Sequence, residues 1–279
     1  MIIDSHVHFY DPTRPEGVPW PPRDNKVLYR RVMPEHCKAL AGPLGVTGTV
    51  VVEASVWIED NQWILDLAAK EPFIVGFVGN LTPGTEGFSS HLDRFAQNRL
   101  FRGIRTWRKL KESLADGCFL ADLEKLAERD LSLDLPSTPT DLPLVAQLAE
   151  RAPDLRIVVN HVAGVRIDGK TPDPTWVEGI RAVAKQPQVF CKVSGLVEGT
   201  GRNPAPSDLS YYKPTIDVLW DALGEDRLLY GSNWPVCELF SDYATVHRIV
   251  TEYFNEKGRA AAEKYFWRNS KKAYKWIER

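Results

Sequence analysis

The chain has 279 residues, of which 43% are hydrophobic, so it can bury a large core and is not a disordered protein. Its 35 basic and 37 acidic residues leave a net charge of −2, which argues against nucleic acid or a membrane surface as a partner. No apolar stretch reaches the roughly 18 residues that span a bilayer. The four cysteines are far apart, which is typical of reduced thiols, so we expect a cytoplasmic protein.

Short, β-rich apolar runs recur eight times along the chain and alternate with segments of helical spacing. Several runs, such as TVVVE and RIVVN, are almost continuously apolar, which is typical of strands buried on both faces. Strands that alternate with helices pair in parallel through right-handed crossovers. The predicted strands are Ile2–Asp4, Thr49–Glu53, Ile74–Asn80, Gly103–Arg105, Leu131–Asp134, Ile157–Asn160, Val189–Lys192 and Leu228–Gly231.

Eight such units predict an α/β fold, a (β/α)8 TIM barrel with one domain over residues 1–279 and additional C-terminal helices. Alternation alone also fits an open doubly wound sheet, but no glycine-rich phosphate loop follows the first strand. Two insertions rich in proline and aromatic residues, 10–33 and 195–213, follow strands and should stand over the catalytic face. The segment from Glu256 onward predicts one or two helices that complete the outer layer of the barrel.

His6 and His8 follow the first apolar run and are separated by one residue, so strand periodicity directs both imidazoles to one face. In a barrel strand that face is the interior. Two imidazoles are costly to bury there unless a metal or an anion uses their nitrogen atoms. Hydrogen bonds to neighbouring carbonyl groups are the structural alternative, and the spacing alone favours neither.

The other predicted strands also end in polar or charged residues. Apolar strands with polar ends are typical of a barrel whose reaction site lies at the carboxyl ends of its strands. Nearby tryptophans are candidates for the walls of a substrate pocket, although aromatic residues also pack in cores. The polar residues are Glu53, Asn80, Arg105, Asp134, His161, Lys192 and Asn233, and the tryptophans are Trp20, Trp57, Trp107 and Trp234.

Six motifs occur in the order known from one enzyme family. They are IDSHVHFYD, FRGIRTW, VVNHVAG, FCKVSGL, RLLYGSNWPV and FWRNSKKAY. Together they resemble the signatures of the "amidohydrolase 2" group of the amidohydrolase superfamily, and within it the lactonases of sugar acids and of pyrone dicarboxylates. The resemblance runs from residue 2 to about residue 276. It implies a (β/α)8 barrel that opens a lactone ring with water.

The resemblance also assigns roles to individual residues. His6 and His8 match the pair that binds a metal or contacts the substrate, and His161 matches the histidine after strand six. Arg105 and Lys192 match the arginine of GIR and the lysine of KxSG, which suit an anionic substrate or a developing oxyanion. One divalent metal is implied, with zinc as the favoured ion, and hydrolysis without a metal also stays open. The candidate metal ligands are His6, His8, Glu53 and His161.

The chain departs from the family at one catalytic position. The usual strand-eight motif is GSDWP, whose aspartate is the general base and a potential metal ligand, and this chain has GSNWP with Asn233. An amide cannot accept a proton at neutral pH. Family members commonly have glutamine where this chain has Glu53. The hypothesis is therefore that Glu53 is the general base or a metal ligand and Asn233 its hydrogen-bonding partner, the alternative being an ion pair of Glu53 with Arg105 or Lys192.

The function predicted from these observations is a hydrolase that opens a small lactone, with an anionic or polyhydroxylated substrate. The alternatives are a metal-dependent, non-oxidative decarboxylase of an aromatic acid and a non-catalytic homologue that binds a small molecule. A homo-oligomer is compatible with the tryptophan-rich tail. The candidate catalytic residues are Glu53, His161, Lys192 and Asn233, and the candidate substrate contacts are Arg105, Asn80, Asp134, Trp57, Trp107 and Trp234.

Overall fold

The structure, a computed structural model, describes residues 1–279 and contains eight parallel strands in the order of the chain. A parallel bridge between Val7 and Trp234 joins the first strand to the segment after the eighth, so the sheet curls into a nearly closed barrel. The predicted (β/α)8 fold is confirmed. The strands are β1 (Ile3–Val7), β2 (Gly48–Val52), β3 (Ile74–Asn80), β4 (Phe101–Arg105), β5 (Ser132–Pro136), β6 (Arg156–Asn160), β7 (Val189–Val193) and β8 (Leu228–Tyr230).

Helices return the chain from one strand to the next. Four of them begin at an aspartate whose carboxylate accepts hydrogen bonds from N–H groups of the first turn, as at Asp116 and Asp173. No helix is both long enough and apolar enough to cross a membrane. The helices are α1 (Pro34–Ala41), α2 (Glu59–Lys70), α3 (Phe88–Ala96), α4 (Leu110–Ser113), α5 (Gly117–Glu128), α6 (Leu142–Arg151), α7 (Pro174–Ala184), α8 (Leu196–Gly199), α9 (Leu209–Leu223), α10 (Tyr243–Glu256), α11 (Arg259–Glu263) and α12 (Asn269–Tyr274).

Alternation along the strands divides the apolar residues into two cores. Val51 and Val159 belong to the large core between the strands and the helices. Val50, Val158 and Leu229 belong to a small core that unites residues of strands from all around the sheet, so this core fills the barrel interior. Burial on both faces explains why these strands read as continuous apolar runs.

The first strand is longer than predicted. It runs to Val7, so His6 lies within β1 and not after it. The strand can continue through polar residues because the buried Asp4 carboxylate accepts a hydrogen bond from the Tyr243 hydroxyl at 2.8 Å. The ring centroids of His6 and His8 are 5.0 Å apart, so both imidazoles lie on the same side of the strand as expected.

The C-terminal segment forms two helices as predicted, and Tyr265 and Phe266 between them pack in the outer core, but its last residues close the bottom of the barrel, which was not predicted. A π-helical turn, Lys264–Arg268, connects α11 to α12, after which Trp276 is buried with the interior core. The side chain of Arg102, at the amino end of β4, donates to the Tyr274 carbonyl at 2.9 Å. The Tyr274 hydroxyl donates to Asp134 inside the barrel at 2.9 Å. Tyr274 and Trp276 of the C-terminal segment fill the lower opening of the barrel, so the last residues of the chain lie beneath the strands.

Candidate active site

A cavity of about 390 Å³ opens at the carboxyl ends of the strands, a size typical of small-molecule sites. The insertion 10–33 contributes Trp20 to its wall, and the Trp20 ring lies 5.9 Å from that of His8, so this insertion stands over the strand ends as expected. The structure therefore brings six further candidate residues together with Trp20. These are His8, Glu53, Arg105, Trp107, His161 and Asn233.

A chain of buried polar groups lies beneath the cavity. The Lys192 ammonium donates to Asp134 at 2.7 Å and is 3.1 Å from His6 Nδ1. Burial lowers the pKa of Lys192, and the carboxylate of Asp134 opposes that shift. An ammonium group can only donate, so His6 Nδ1 accepts and the proton of the neutral ring lies on Nε2. Burial and the charge of Lys192 hold the pKa of His6 well below its usual value, so the ring is neutral.

The Nε2 atom of His6 is buried and has no hydrogen-bond partner in the protein. Buried donors are normally paired, so an unpaired one in an otherwise satisfied network points to a ligand. The His6 ring lies 5.0 Å from that of His8 and 4.3 Å from that of His161, both of which line the cavity. His6 thus holds an unpaired N–H donor directly behind His8 and His161, the two imidazoles that line the cavity.

His8 has the opposite tautomer. Its Nδ1 lies 2.9 Å from the carbonyl oxygen of Val52 and 3.1 Å from that of Glu53, and carbonyl groups only accept. The ring proton is therefore on Nδ1, and Nε2 carries a lone pair. Burial, followed by the charge of Arg105, lowers the pKa of His8 to about 4. At neutral pH the cavity consequently contains a neutral imidazole in its basic form.

His161 begins an unusual turn after β6. Residues 161–163 all have φ between 47 and 55°, a left-handed conformation that few residues other than glycine adopt. Gly195 packs so closely that a Cβ there would approach His161 Cβ to 2.7 Å. The Nδ1 atom of His161 is 2.9 Å from the Ser194 hydroxyl. The turn and these contacts direct the His161 imidazole towards His6.

Glu53 forms the ion pair that the sequence left as an alternative. The Nε of Arg105 donates to Glu53 Oε1 at 2.6 Å, and its Nη2 donates to the Glu53 carbonyl at 2.7 Å. The Trp107 indole also donates to Oε1, and the Ser55 backbone N–H donates to Oε2 at 2.9 Å. Three donors therefore hold this carboxylate, and Arg105 keeps one nitrogen, Nη1, without a protein partner at the cavity.

Asn233 does not bind Glu53, so this part of the sequence hypothesis is wrong. Its Nδ2 donates to Oε1 of Glu198 on α8 at 2.8 Å. The reason is the strand order: the loop after β7 is next to the end of β8, whereas β2 ends two strands away. Asn233 has φ of 59°, which asparagine tolerates better than most residues. Burial raises the pKa of Glu198 to about 7.

Four predicted substrate contacts lie away from the cavity wall. Asn80 is held through its backbone by Asn61 of α2, and Asp134 is fully buried beneath the site. Trp234 is fully buried and donates its indole N–H away from the cavity, whereas Trp57 is on the surface. Each was chosen from its position near a strand end. Only side chains that point towards the barrel axis from the last residues of a strand, or from the loop after it, reach the cavity.

The candidate metal ligands do not fit a divalent ion. No group of three or more histidine, cysteine, aspartate or glutamate side chains is arranged to hold a metal. A metal-binding histidine donates its second ring N–H to an acceptor, but His6 has an ammonium group beside Nδ1. The Glu53 carboxylate is held by Arg105, and β8 is followed by an amide. His8 alone has the ring orientation of a metal ligand, and the four candidates, His6, His8, Glu53 and His161, do not form a metal site together.

Glu198 is the main site residue absent from the sequence prediction. Glu198 is in the insertion 195–213, three residues after the KxSG motif. The signal that could have indicated Glu198 is the asparagine at position 233, because a site that lacks this carboxylate can have another in a loop next to β8. Trp20, in the other insertion, lines the cavity as considered from the sequence.

The amidohydrolase family model matches residues 3–276. An L-fucono-1,5-lactonase from Burkholderia ambifaria is 32% identical over 250 residues, which cover 86% of this chain and 83% of the relative. An L-fucono-1,5-lactonase from Burkholderia multivorans is 27% identical over 277 residues, which cover 96% of this chain and 93% of the relative. A crystal structure of a Burkholderia multivorans amidohydrolase with bound zinc has a TM-score of 0.89 and 25% identity, and the match covers 99% of this chain and all of that one.

Proposed function

The chain belongs to the amidohydrolase family, and on that premise we propose that it hydrolyses a small, uncharged, polyhydroxylated lactone. The observation that carries the proposal is the pair of opposite tautomers at the base of one cavity. His6 offers an N–H donor and His8 offers a lone pair. A donor for the carbonyl oxygen and an acceptor for the proton of water are what ester hydrolysis needs. The relatives named as L-fucono-1,5-lactonases support a cyclic ester as the substrate.

His8 takes the proton of the attacking water on Nε2. Its low pKa keeps the ring neutral, and hence able to accept a proton, throughout the physiological range. The two carbonyl groups that bind Nδ1–H hold the ring and interact favourably with the positive charge that it gains. Glu53, the base expected from sequence, stays paired with Arg105 and keeps that guanidinium group in place.

The carbonyl oxygen of the lactone becomes negative as water adds to the carbonyl carbon. His6 donates its Nε2 proton in a hydrogen bond to this oxygen, and the Lys192 ammonium beside Nδ1 strengthens that donor. When the tetrahedral intermediate collapses, the bond between the carbonyl carbon and the ring oxygen breaks. The ring oxygen takes the proton held by His8, and the product is an open-chain hydroxy acid.

The charge balance of the cavity favours an uncharged substrate. Arg105 is the only lysine or arginine in the cavity wall, and Glu53 neutralises it. A dicarboxylate would need unpaired cations, because a buried carboxylate without one is strongly unfavourable. The free Nη1 of Arg105 instead suits a hydroxyl oxygen, and Trp20 and Trp107 offer flat surfaces to a sugar ring. The anionic option considered from sequence is therefore not part of the proposal.

No step of this mechanism uses a metal, because the donor set does not fit one. Zinc is bound in the related Burkholderia multivorans structure. In this chain the cation beside His6 and the amide at position 233 remove two of the features that a metal centre would need.

Proton release measured with a pH indicator tests the proposal. The panel contains uncharged aldonolactones, including L-fucono-1,5-lactone, and a pyrone dicarboxylate, which is a lactone with two carboxylate groups. We expect at least one uncharged lactone to open with kcat/KM of about 10⁴ M⁻¹s⁻¹ or more, and the dicarboxylate to react at least about tenfold more slowly. Failure to open any lactone would contradict the proposal, and carbon dioxide release from an aromatic acid would favour a decarboxylase. Binding without turnover would favour a non-catalytic homologue.

A further inference from the structure

Glu198 is a buried carboxylate beside the active site that the mechanism above does not use. Its Oε1 accepts the Asn233 amide N–H at 2.8 Å, and its Oε2 is buried without a partner. No basic side chain contributes to its surroundings. Most buried carboxylates are paired with a cation or with several donors. Besides its own backbone N–H, the Glu198 carboxylate has one neutral side-chain donor, the Asn233 amide, which belongs to a residue of the cavity wall.

We propose that Glu198 is the positioning residue of Asn233: when ionised, it fixes the amide so that Oδ1 faces the cavity and orients the attacking water. The inference rests on the proposed hydrolysis of a lactone. It also accounts for the amide in the GSNWP motif, because the carboxylate that is missing at position 233 is found in contact with that position.

The chemistry of the two side chains makes the orientation depend on one proton. An ionised carboxylate can only accept, so it binds the NH₂ end of Asn233 and leaves the amide oxygen to the cavity. A protonated carboxyl group donates its O–H, for which the amide oxygen is the acceptor. The amide then turns over and presents NH₂ to the cavity. An NH₂ group cannot accept a hydrogen bond from water, so the water loses its orientation.

Both forms of Glu198 exist near neutral pH, because burial raises its pKa to about 7. The titratable groups that interact with its carboxylate are Tyr212 of α9 and Cys237 of the loop after β8, and both have pKa values raised by burial. Neither ionises near pH 7. His8, on the cavity side of Asn233, has a pKa of about 4 and also stays neutral. A change in activity near pH 7 therefore reports Glu198.

The first experiment compares kcat between pH 5.5 and 8.5 in the wild type, Glu198→Gln and Glu238→Gln. Glu238 is the matched control, since it holds Trp234 in the same loop and does not contact Asn233. We expect wild-type kcat to fall about tenfold per pH unit below pH 7, with KM changed less than about threefold. Glu198→Gln should remove this dependence, with less than about a twofold change in kcat from pH 6 to 8, and the control should keep it. The inference is overturned if kcat of Glu198→Gln still falls below pH 7, or if kcat of the wild type does not fall there.

A second measurement does not depend on turnover. In protein labelled with ¹⁵N at asparagine, the side-chain NH₂ resonance of Asn233 is assigned by its loss in Asn233→Ser. It should titrate with a midpoint near pH 7 in the wild type and stay constant in Glu198→Gln. Titration without hydrolysis of any lactone would reject the proposed function and keep the Glu198–Asn233 switch. Turnover by the wild type without titration would keep the function and reject the switch.

Discussion

Glu53 and Glu198 are both carboxylates of the active-site region, but their surroundings differ in charge. Glu53 accepts from a guanidinium group, an indole and a backbone N–H, so its negative charge is balanced and its position is fixed. Glu198 accepts from the neutral Asn233 amide and from its own backbone N–H, and no cation contributes to its surroundings. The difference teaches that the donors around a buried carboxylate, more than its distance from the substrate, decide whether it holds a fixed charge or exchanges a proton.

The comparison leaves neither carboxylate as the acceptor of the water proton, so the strongest way to break it is to remove His8. His8→Gln should lower kcat at least about 1000-fold, because the variant lacks the imidazole that accepts the proton of water in the proposed mechanism. Steady-state kinetics on the lactone identified above measures the effect. His247→Gln is the control, since His247 is a buried imidazole that contacts Tyr230 away from the cavity. A loss of less than about tenfold in His8→Gln would return Glu53 or Glu198 to the role of base.

Removing the charge of Glu53 tests the fixed half of the comparison. Glu53→Gln leaves the buried Arg105 without its partner, so we expect it to destabilise the fold by about 3 kcal/mol. Urea denaturation of the variant and the wild type at pH 7 measures this loss. The same variant should open uncharged lactones about 10- to 100-fold less efficiently and tolerate anionic lactones better. Full stability would show that the ion pair is not a structural element.

Removing the charge of Glu198 should stabilise the fold, whereas removing that of Glu53 should destabilise it. The folded-state pKa of about 7 lies above the ordinary value of 4.5, so the folded protein binds this proton more tightly than the unfolded chain does. The stability that this proton provides is complete below pH 4.5 and is lost as pH rises to 7. Glu198→Gln does not ionise and should therefore be more stable than wild type above pH 7, by up to about 3 kcal/mol. Equal stabilities of the two proteins at pH 5 and pH 8 would contradict this assignment.

A third carboxylate, Asp134, refines the comparison because a tyrosine from the tail helps to hold it. Tyr274→Phe removes hydrogen bonds to both oxygens of Asp134 while Lys192 remains paired. We expect about 1 kcal/mol of lost stability and about a fivefold decrease in kcat. The control is Tyr253→Phe, which loses a bond to Asp217 at the surface and should leave kcat unchanged. Equal changes of kcat in Tyr274→Phe and Tyr253→Phe would show that the C-terminal segment does not contribute to catalysis through Tyr274.

The smallest expected effect is that of a chelator. Because the candidate ligands do not form a metal site, prolonged dialysis against EDTA should change kcat by less than about twofold. Metal analysis of the dialysed protein by mass spectrometry provides the control. Loss of activity that zinc restores would contradict the charge balance described for Glu53 and His6.

The sequence predicted the fold well because each barrel strand carries its own signal. Runs such as TVVVE and RIVVN are buried on both faces, and all eight predicted strands are present. The end of β1 was missed because its polar residues are satisfied by distant partners such as Tyr243. The closure of the barrel bottom by Tyr274 and Trp276 was missed because helical periodicity does not show which surface an aromatic residue covers.

The active site was predicted only in part, for a similar reason. Strand ends and motifs identified His8, Arg105 and His161, whose positions follow from the fold. The tautomers of the histidines depend on which groups neighbouring strands bring to each ring, and no local pattern encodes that. The partner of Asn233 depends on the path of the insertion 195–213, whose turns have no periodicity. Glu198 therefore became apparent only when the loop after β7 was seen next to the end of β8.

Tyr274 has a consequence for the order in which the protein matures during translation. The eighth strand ends at Tyr230, and a nascent chain of that length contains every imidazole of the site. It lacks the tyrosine that supports Asp134 and the residues that fill the lower opening of the barrel. A ribosome must therefore add more than forty further residues before Lys192 and His6 acquire their final surroundings. Hydrolytic competence should be among the last properties that the emerging polypeptide gains, after the barrel itself has been synthesised.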